Sequence, residues 1–248
     1  MTARSYGQFC GLTRAADLLG NRWALPIIRD LLLGPARFKD LLAAFPGIPT
    51  SMLSARLKEL ETAGIVRRVV ASPRGVRYEL TEWGRELEPA VTALGRWGAA
   101  QMVAPLDHEI VTEAGLATSL RTCFAGRLQD GPARPTTFEI FTADLAAHAT
   151  VTGDRIEVST GPAEAPDIRI SAGEHYRALL ASQVTPEEYA HLPDVEIEGD
   201  PALLTTFAEL FRLPLMSLDP VVQQPGGTPA LPLVGTRPAG TGEQNATA

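Results

Sequence analysis

The residues best placed to do chemistry in this 248-residue chain are arginines. Arg67, Arg68, Arg74 and Arg77 crowd a short β-branched stretch that is interrupted by the turn Ser72-Pro73-Arg74-Gly75. Cations gathered on a hairpin neutralise phosphates and release their counterions. Just upstream, Thr50 to about Ala63 has helical spacing, with Leu53, Leu57 and Leu60 on one side. That leaves Thr50, Ser51, Ser54, Ala55 and Lys58 outward, and short polar side chains admit close approach to base edges. Arg37 and Lys39 add positive charge before this segment. Arg56 sits at the rim of the apolar side, where it could clamp a phosphate or brace the fold; both readings stand open.

Other reactive groups are sparse. Cys10 and Cys123 are too few for a disulfide framework and wrongly spaced for zinc, which fits a reducing cytoplasm. His108, His148, His175 and His191 have no H-E-x-x-H spacing, and neither a G-x-S-x-G elbow nor a G-x-x-x-x-G-K loop occurs. Catalysis is therefore not expected, and no cofactor or metal is implied.

The elements that must position the arginines follow from periodicity. Leu12 to Leu33 reads as two helices parted by Gly20-Asn21, with Pro26 tolerated in the first turn of the second. A short helix, Phe38 to Phe45, precedes the Pro46-Gly47-Ile48-Pro49 turn, after which Thr50 or Ser51 is suited to cap the next helix. Ile65 to Val70 and Val76 to Leu80 read as a hairpin. Thr81-Glu82 then opens one long helix reaching roughly Met102, whose stripe of Trp83, Leu87, Ala90, Val91, Leu94 and Trp97 is wide enough for a partner helix.

Charge divides the chain. Residues 1–100 hold fourteen Lys and Arg against nine Asp and Glu, a balance of +5 within a total of -7, so the remainder carries -12. A basic module is joined to an acidic one. Hydrophobic content of 45% is enough for two packed cores. No apolar run is long enough to span a membrane and the first ten residues lack an export pattern, so a cytoplasmic protein is expected.

Residues 12–97 resemble the HxlR family of bacterial regulators, relatives of MarR-type winged-helix proteins. The resemblance is carried by Leu18-Leu19-Gly20-Asn21-Arg22-Trp23, Leu31-Leu32-Leu33-Gly34-Pro35-Ala36-Arg37-Phe38, Pro46-Gly47-Ile48, Leu53-Ser54-Ala55-Arg56-Leu57-Lys58-Glu59-Leu60 and Tyr78-Glu79-Leu80-Thr81-Glu82-Trp83-Gly84. It implies a winged helix-turn-helix fold and a homodimer, built through the terminal helices, that reads a roughly palindromic double-stranded DNA operator; the expected role is a transcriptional regulator, read as a repressor. It also implies that Cys10, just before the first helix, could sense oxidants or electrophiles; Arg14 lies near enough in sequence to depress the thiol's pKa. A protein-binding winged helix is the other class that would fit these elements.

The second half, about residues 105–216, reads as a helix from Ile110 to Leu128, strands around Phe138-Ile140, Ala149-Val151, Ile156-Val158 and Ile168-Ile170, and helices over 174–183 and 201–213. The resulting class is α+β in two domains. Residues 111–213 resemble the sterol carrier protein fold through 151–158, 166–170 and 195–200, although Thr185-Pro186-Glu187-Glu188-Tyr189 replaces that family's glycine-rich entrance. If such a fold encloses a hydrophobic effector, Phe138, Ile140, Ile156, Val158, Ile168, Ile170, Phe207 and Phe211 line the pocket. Residues 217–248, rich in Pro, Gly and Thr, are expected to be a disordered tail, and the Asn245-Ala246-Thr247 glycosylation pattern is discarded.

Overall fold

The computed structural model describes residues 5–71, 75–100, 102, 109–126, 132, 134–173 and 175–213. Arg74 and the tail lie outside the described residues.

The first core gathers the apolar faces of α1 (Gly11–Leu19), α2 (Ala24–Leu32), α3 (Phe38–Ala44) and α4 (Thr50–Thr62) with the hairpin β1 (Val66–Ala71) and β2 (Gly75–Leu80). Ile27, Ile28, Leu41, Leu53, Leu57, Ile65 and Leu80 are fully buried there. The α1–α2 corner is tight: a Cβ on Gly20 would meet the Ala16 carbonyl oxygen at 2.5 Å. Trp23 follows in the left-handed region, φ 79°, with its ring 5.8 Å from that of Phe45. Ala36 exchanges both backbone hydrogen bonds with Tyr78, adding a one-residue third strand to the hairpin. At the wing base the Thr81 hydroxyl donates to Gly64 O at 2.7 Å and accepts from Gly84 N–H at 3.0 Å.

Two elements differ from the expectation. The N-cap of α4 is Pro49, so neither Thr50 nor Ser51 caps it; both lie within the first turn. The long helix after the wing is two, α5 (Glu82–Arg85) and α6 (Glu88–Ala99). Pro89 explains the break, because it lacks an N–H and its ring would clash with the carbonyl of Arg85 in a continuous helix.

The second core lies between helices and one face of a mixed sheet. α7 (Glu113–Cys123) precedes the meander β3 (Thr136–Thr142), β4 (Leu145–Thr152) and β5 (Arg155–Thr160); β6 (Ile168–Ser171) then pairs parallel to β3. After α8 (Tyr176–Leu180) and α9 (Pro186–Ala190), β7 (Ile197–Gly199) completes the order β5-β4-β3-β6-β7, and α10 (Ala202–Leu210) closes the layer. The helices are shorter than their patterns suggested. α9 owes its start to a capping box: Thr185 Oγ1 accepts from Glu188 N–H, and the Glu188 carboxylate accepts from Thr185 N–H.

Register places Phe138, Ala149, Val158 and Ile168 side by side on the inner face, with Ile140, Ala147 and Ile170 in the next row. Phe207 stacks on Phe211 at 4.6 Å between ring centres, and Phe138 lies 5.7 Å from each. Seven of the eight side chains expected to line a pocket are thus buried against one another. The eighth, Ile156, is half-buried at the sheet edge.

Helix α6 joins the two cores. Leu87, just before it, and Val91 pack on the first core, while Gly95 and Ala99 face the second unit. Each unit caps a helix of the other with an arginine. Arg96 of α6 donates to the Thr122 and Phe124 carbonyls at the end of α7 (3.0 and 2.8 Å), and Arg177 of α8 donates to Ala99 O at the end of α6 (2.9 Å). A guanidinium at a helix C-terminus satisfies free carbonyls and complements the helix dipole. Arg121 of α7 pairs with Glu88 at the start of α6.

Candidate nucleic-acid interface

Helix α4 presents a clean division. Leu53, Leu57 and Leu60 are at most 2% exposed, whereas Thr50, Ser51, Ser54 and Lys58 are all exposed. Met52 and Ala55 share that outer surface. Met52 was not anticipated as part of it, yet an apolar tip there suits the methyl group of thymine. The helix ends at Gly64, φ 73°, so that β1 begins at once and the hairpin lies beside α4.

Arg56 is 17% exposed and pairs with Glu59, one turn on, while Asn21 Nδ2 donates to the same Glu59 oxygen at 3.4 Å. This small network ties the α1–α2 corner to α4. The signal for it was the Asn21-Arg22-Trp23 motif, whose partner lies too far along the chain for spacing to reveal.

The wing cations are held in different ways. Arg67 pairs across the strands with Glu79, Nη2 to Oε1 2.6 Å, as their direct register requires. Arg68 is exposed, with its guanidinium carbon 5.9 Å from the Tyr78 ring centre. Arg77 is half-buried and its Nε is enclosed without a hydrogen-bond acceptor. Val70 and Val76 face each other across the hairpin with both side chains exposed. Before α4, Lys39 is exposed and Arg37 half-buried at the start of α3, where its backbone N–H donates to Asp40 at 3.3 Å.

The two thiols differ sharply. Cys10 is exposed at the N-cap of α1. Its pKa is lowered by the N–H groups of Thr13 and Leu12, which approach without closing a full capping hydrogen bond, and not by Arg14 as the sequence suggested. Cys123 is buried, and burial pushes its pKa up to about 11 despite the nearby Arg96 and Arg177. The expected consequence is selective labelling: at neutral pH iodoacetamide modifies Cys10 and spares Cys123 until the chain is unfolded, as peptide mass mapping would show. Equal labelling of both would contradict these environments. Among the described residues no cluster of His, Cys, Asp and Glu could hold a metal ion, and no helix is long and apolar enough to cross a membrane.

This arrangement has close relatives. A family model described as HxlR-like helix-turn-helix matches residues 18–105. An uncharacterized HTH-type transcriptional regulator of Synechocystis sp., sll1512, is 40% identical over 95 residues, covering 38% of this chain and 70% of its own length. YvaP of Bacillus subtilis, likewise described as an uncharacterized HTH-type transcriptional regulator, is 38% identical over 94 residues, 37% of this chain and 86% of its own. The solved structure of the redox regulator HypR in its oxidized form is 35% identical, covering 38% of this chain and all of that one, with a TM-score of 0.36. The matched segment contains α2 to α6 with the wing, and on these grounds the chain belongs to the HxlR-like helix-turn-helix family.

Proposed function

We propose that this protein is a transcriptional regulator that binds double-stranded DNA as a homodimer, laying α4 in the major groove and the wing along the adjacent backbone. One observation carries the reading: α4 buries all its leucines and exposes Thr50, Ser51, Ser54 and Lys58 over its first half and middle, beside a hairpin that carries Arg67, Arg68 and Arg77. In this reading Thr50, Ser51, Ser54 and Lys58 face the bases, while Arg37, Lys39, Arg67, Arg74 and Arg77 serve the phosphates. Nuclease footprinting on the DNA upstream of the protein's own coding region should give two protected half-sites about 10 base pairs apart, centre to centre, or a multiple of that spacing. A single protected half-site would argue against the dimer, and no protection against DNA binding.

The dimer surface is supported by unpartnered apolar side chains on the terminal helices. Phe9, Leu12, Trp83, Leu94 and Trp97 are each more than half exposed. Large apolar side chains left exposed on the elements at both ends of the first unit are suited to an interaction surface. Leu94→Asp should convert the dimer to a monomer in sedimentation velocity with the monomer fold intact by circular dichroism. An unchanged sedimentation coefficient would place the interface elsewhere.

For the second unit, within residues 105–216, the reading as a sterol-carrier-like α/β layer is supported by its five-stranded mixed sheet with helices packed on it. Its filled aromatic centre supports placing any small-molecule control outside that core. A second reading, regulation through thiol oxidation, is favoured by the exposure and lowered pKa of Cys10. It requires that Cys10→Ser abolish any loss of DNA affinity caused by diamide.

A further inference from the structure

A cleft of about 630 Å³ opens between the α5–α6 arm and the second unit. Its charges are sorted by depth. Glu82, Arg85 and Glu86 are exposed at the rim, where solvent screens them, whereas Arg96 and Arg121 are partly buried beneath. Arg96 is satisfied by the carbonyls of Thr122 and Phe124. Arg121 is compensated less well. Its side chain is 18% exposed while its partner Glu88 is 43% exposed, and its Nε is enclosed without an acceptor. Burial accordingly lowers the Arg121 pKa. Pro89, Phe124 and Ile156 supply an apolar wall beside it.

We propose that this cleft is an effector site for a small planar carboxylate, whose anionic group replaces Glu88 on Arg121 while its ring lies against Pro89, Phe124 and Ile156. The open cleft has room for a small ligand, and an apolar patch of Pro89, Phe124 and Ile156 beside an incompletely compensated arginine is a combination such ligands use. Arginine matches a carboxylate in shape as well as charge, so the anchor selects for the ionised acid over a neutral analogue. Ile156 thereby acquires a ligand contact, although not in the enclosed pocket that the sequence suggested for it.

An occupant here touches both units and the helix that carries Leu94 and Trp97. Control of operator affinity from this cleft rests on the DNA-binding reading; binding of the acid does not.

The test is calorimetric titration of the full chain with 2-naphthoate and with 2-naphthamide, on the native protein and on Arg121→Met and Glu88→Gln. The native protein should bind the acid at least about tenfold more tightly than the amide, and Arg121→Met should weaken the acid by about tenfold or more. Glu88→Gln removes the internal competitor and should tighten the acid about threefold or more. The opposite signs matter: if Arg121→Met fails to fold, tightening in Glu88→Gln still supports the site and an unchanged or weaker affinity overturns it. No binding of the acid at millimolar concentration, or equal binding of acid and amide, also overturns it. DNA binding of the ligand-free protein, measured in parallel, separates the two ideas. Carboxylate binding of this pattern without selective DNA binding leaves the site standing and removes the regulatory reading.

Discussion

Replacing Ser54 with glutamate should abolish selective DNA binding while leaving the fold essentially unchanged. Ser54 is exposed in the middle of α4, one residue from the buried Leu53, so its side chain projects away from the core. Glutamate is at least as good a helix former as serine, and an exposed substitution of this kind changes stability by about 0.5 kcal/mol or less. In the major groove the outcome is different. A carboxylate set against base edges and flanking phosphates forfeits contacts of about 1–3 kcal/mol and adds repulsion. A dimer suffers this twice, giving a loss of about 100-fold or more. Electrophoretic mobility shift and thermal melting of the same preparation would read both halves of the expectation. Retained affinity with an unchanged melting point would show that α4 is not the reading helix.

The largest stability effect should come from Phe207→Ala. Phe207 is fully buried, stacked on Phe211 at 4.6 Å, and within 5.7 and 6.2 Å of the Phe138 and Tyr176 rings. Removing a ring from such a site forfeits its transfer energy and leaves a cavity that its neighbours only partly fill, a cost of about 3–5 kcal/mol. Urea unfolding followed by far-ultraviolet circular dichroism measures it. A loss below about 1 kcal/mol would mean that the aromatic cluster is loosely packed, as the wall of an enclosed ligand cavity would be, and not the filled centre described above. All three tryptophans, Trp23, Trp83 and Trp97, lie in the first unit. Their emission therefore reports whether that unit follows the second in unfolding, which the reciprocal Arg96 and Arg177 caps lead one to expect.

What could be read from the sequence was what depends on short-range periodicity. The 3.6-residue spacing of Leu53, Leu57 and Leu60 located α4 and its outward face, and alternation of apolar and polar residues located β3 to β6. The charge division between the halves matches the placement of the exposed cations around α4 and the wing. The break at Pro89 was legible in principle, since a proline four residues beyond Arg85 cannot continue that helix; the apolar stripe across it masked the signal. The stripe itself divides by direction: Leu87 and Val91 turn inward, and Trp83, Leu94 and Trp97 outward, which helix phase alone does not decide. Other features depend on residues far apart in the chain. The tie from Asn21 to Glu59, the single-residue strand at Ala36 and the arginine caps across α6, α7 and α8 arise only once tertiary packing brings their partners together. No local pattern encodes such pairs.

The most direct test of the central claim is fluorescence anisotropy of the full-length protein on labelled DNA from its own upstream region, at 50 and 200 mM salt, beside a scrambled duplex. A regulator that neutralises phosphates with the wing and the cations before α4 should lose affinity by about a thousandfold or more across that range and favour the native sequence over the scrambled one. Binding that is indifferent to salt, or equal on both duplexes, would contradict the account and assign the winged helix to a different partner.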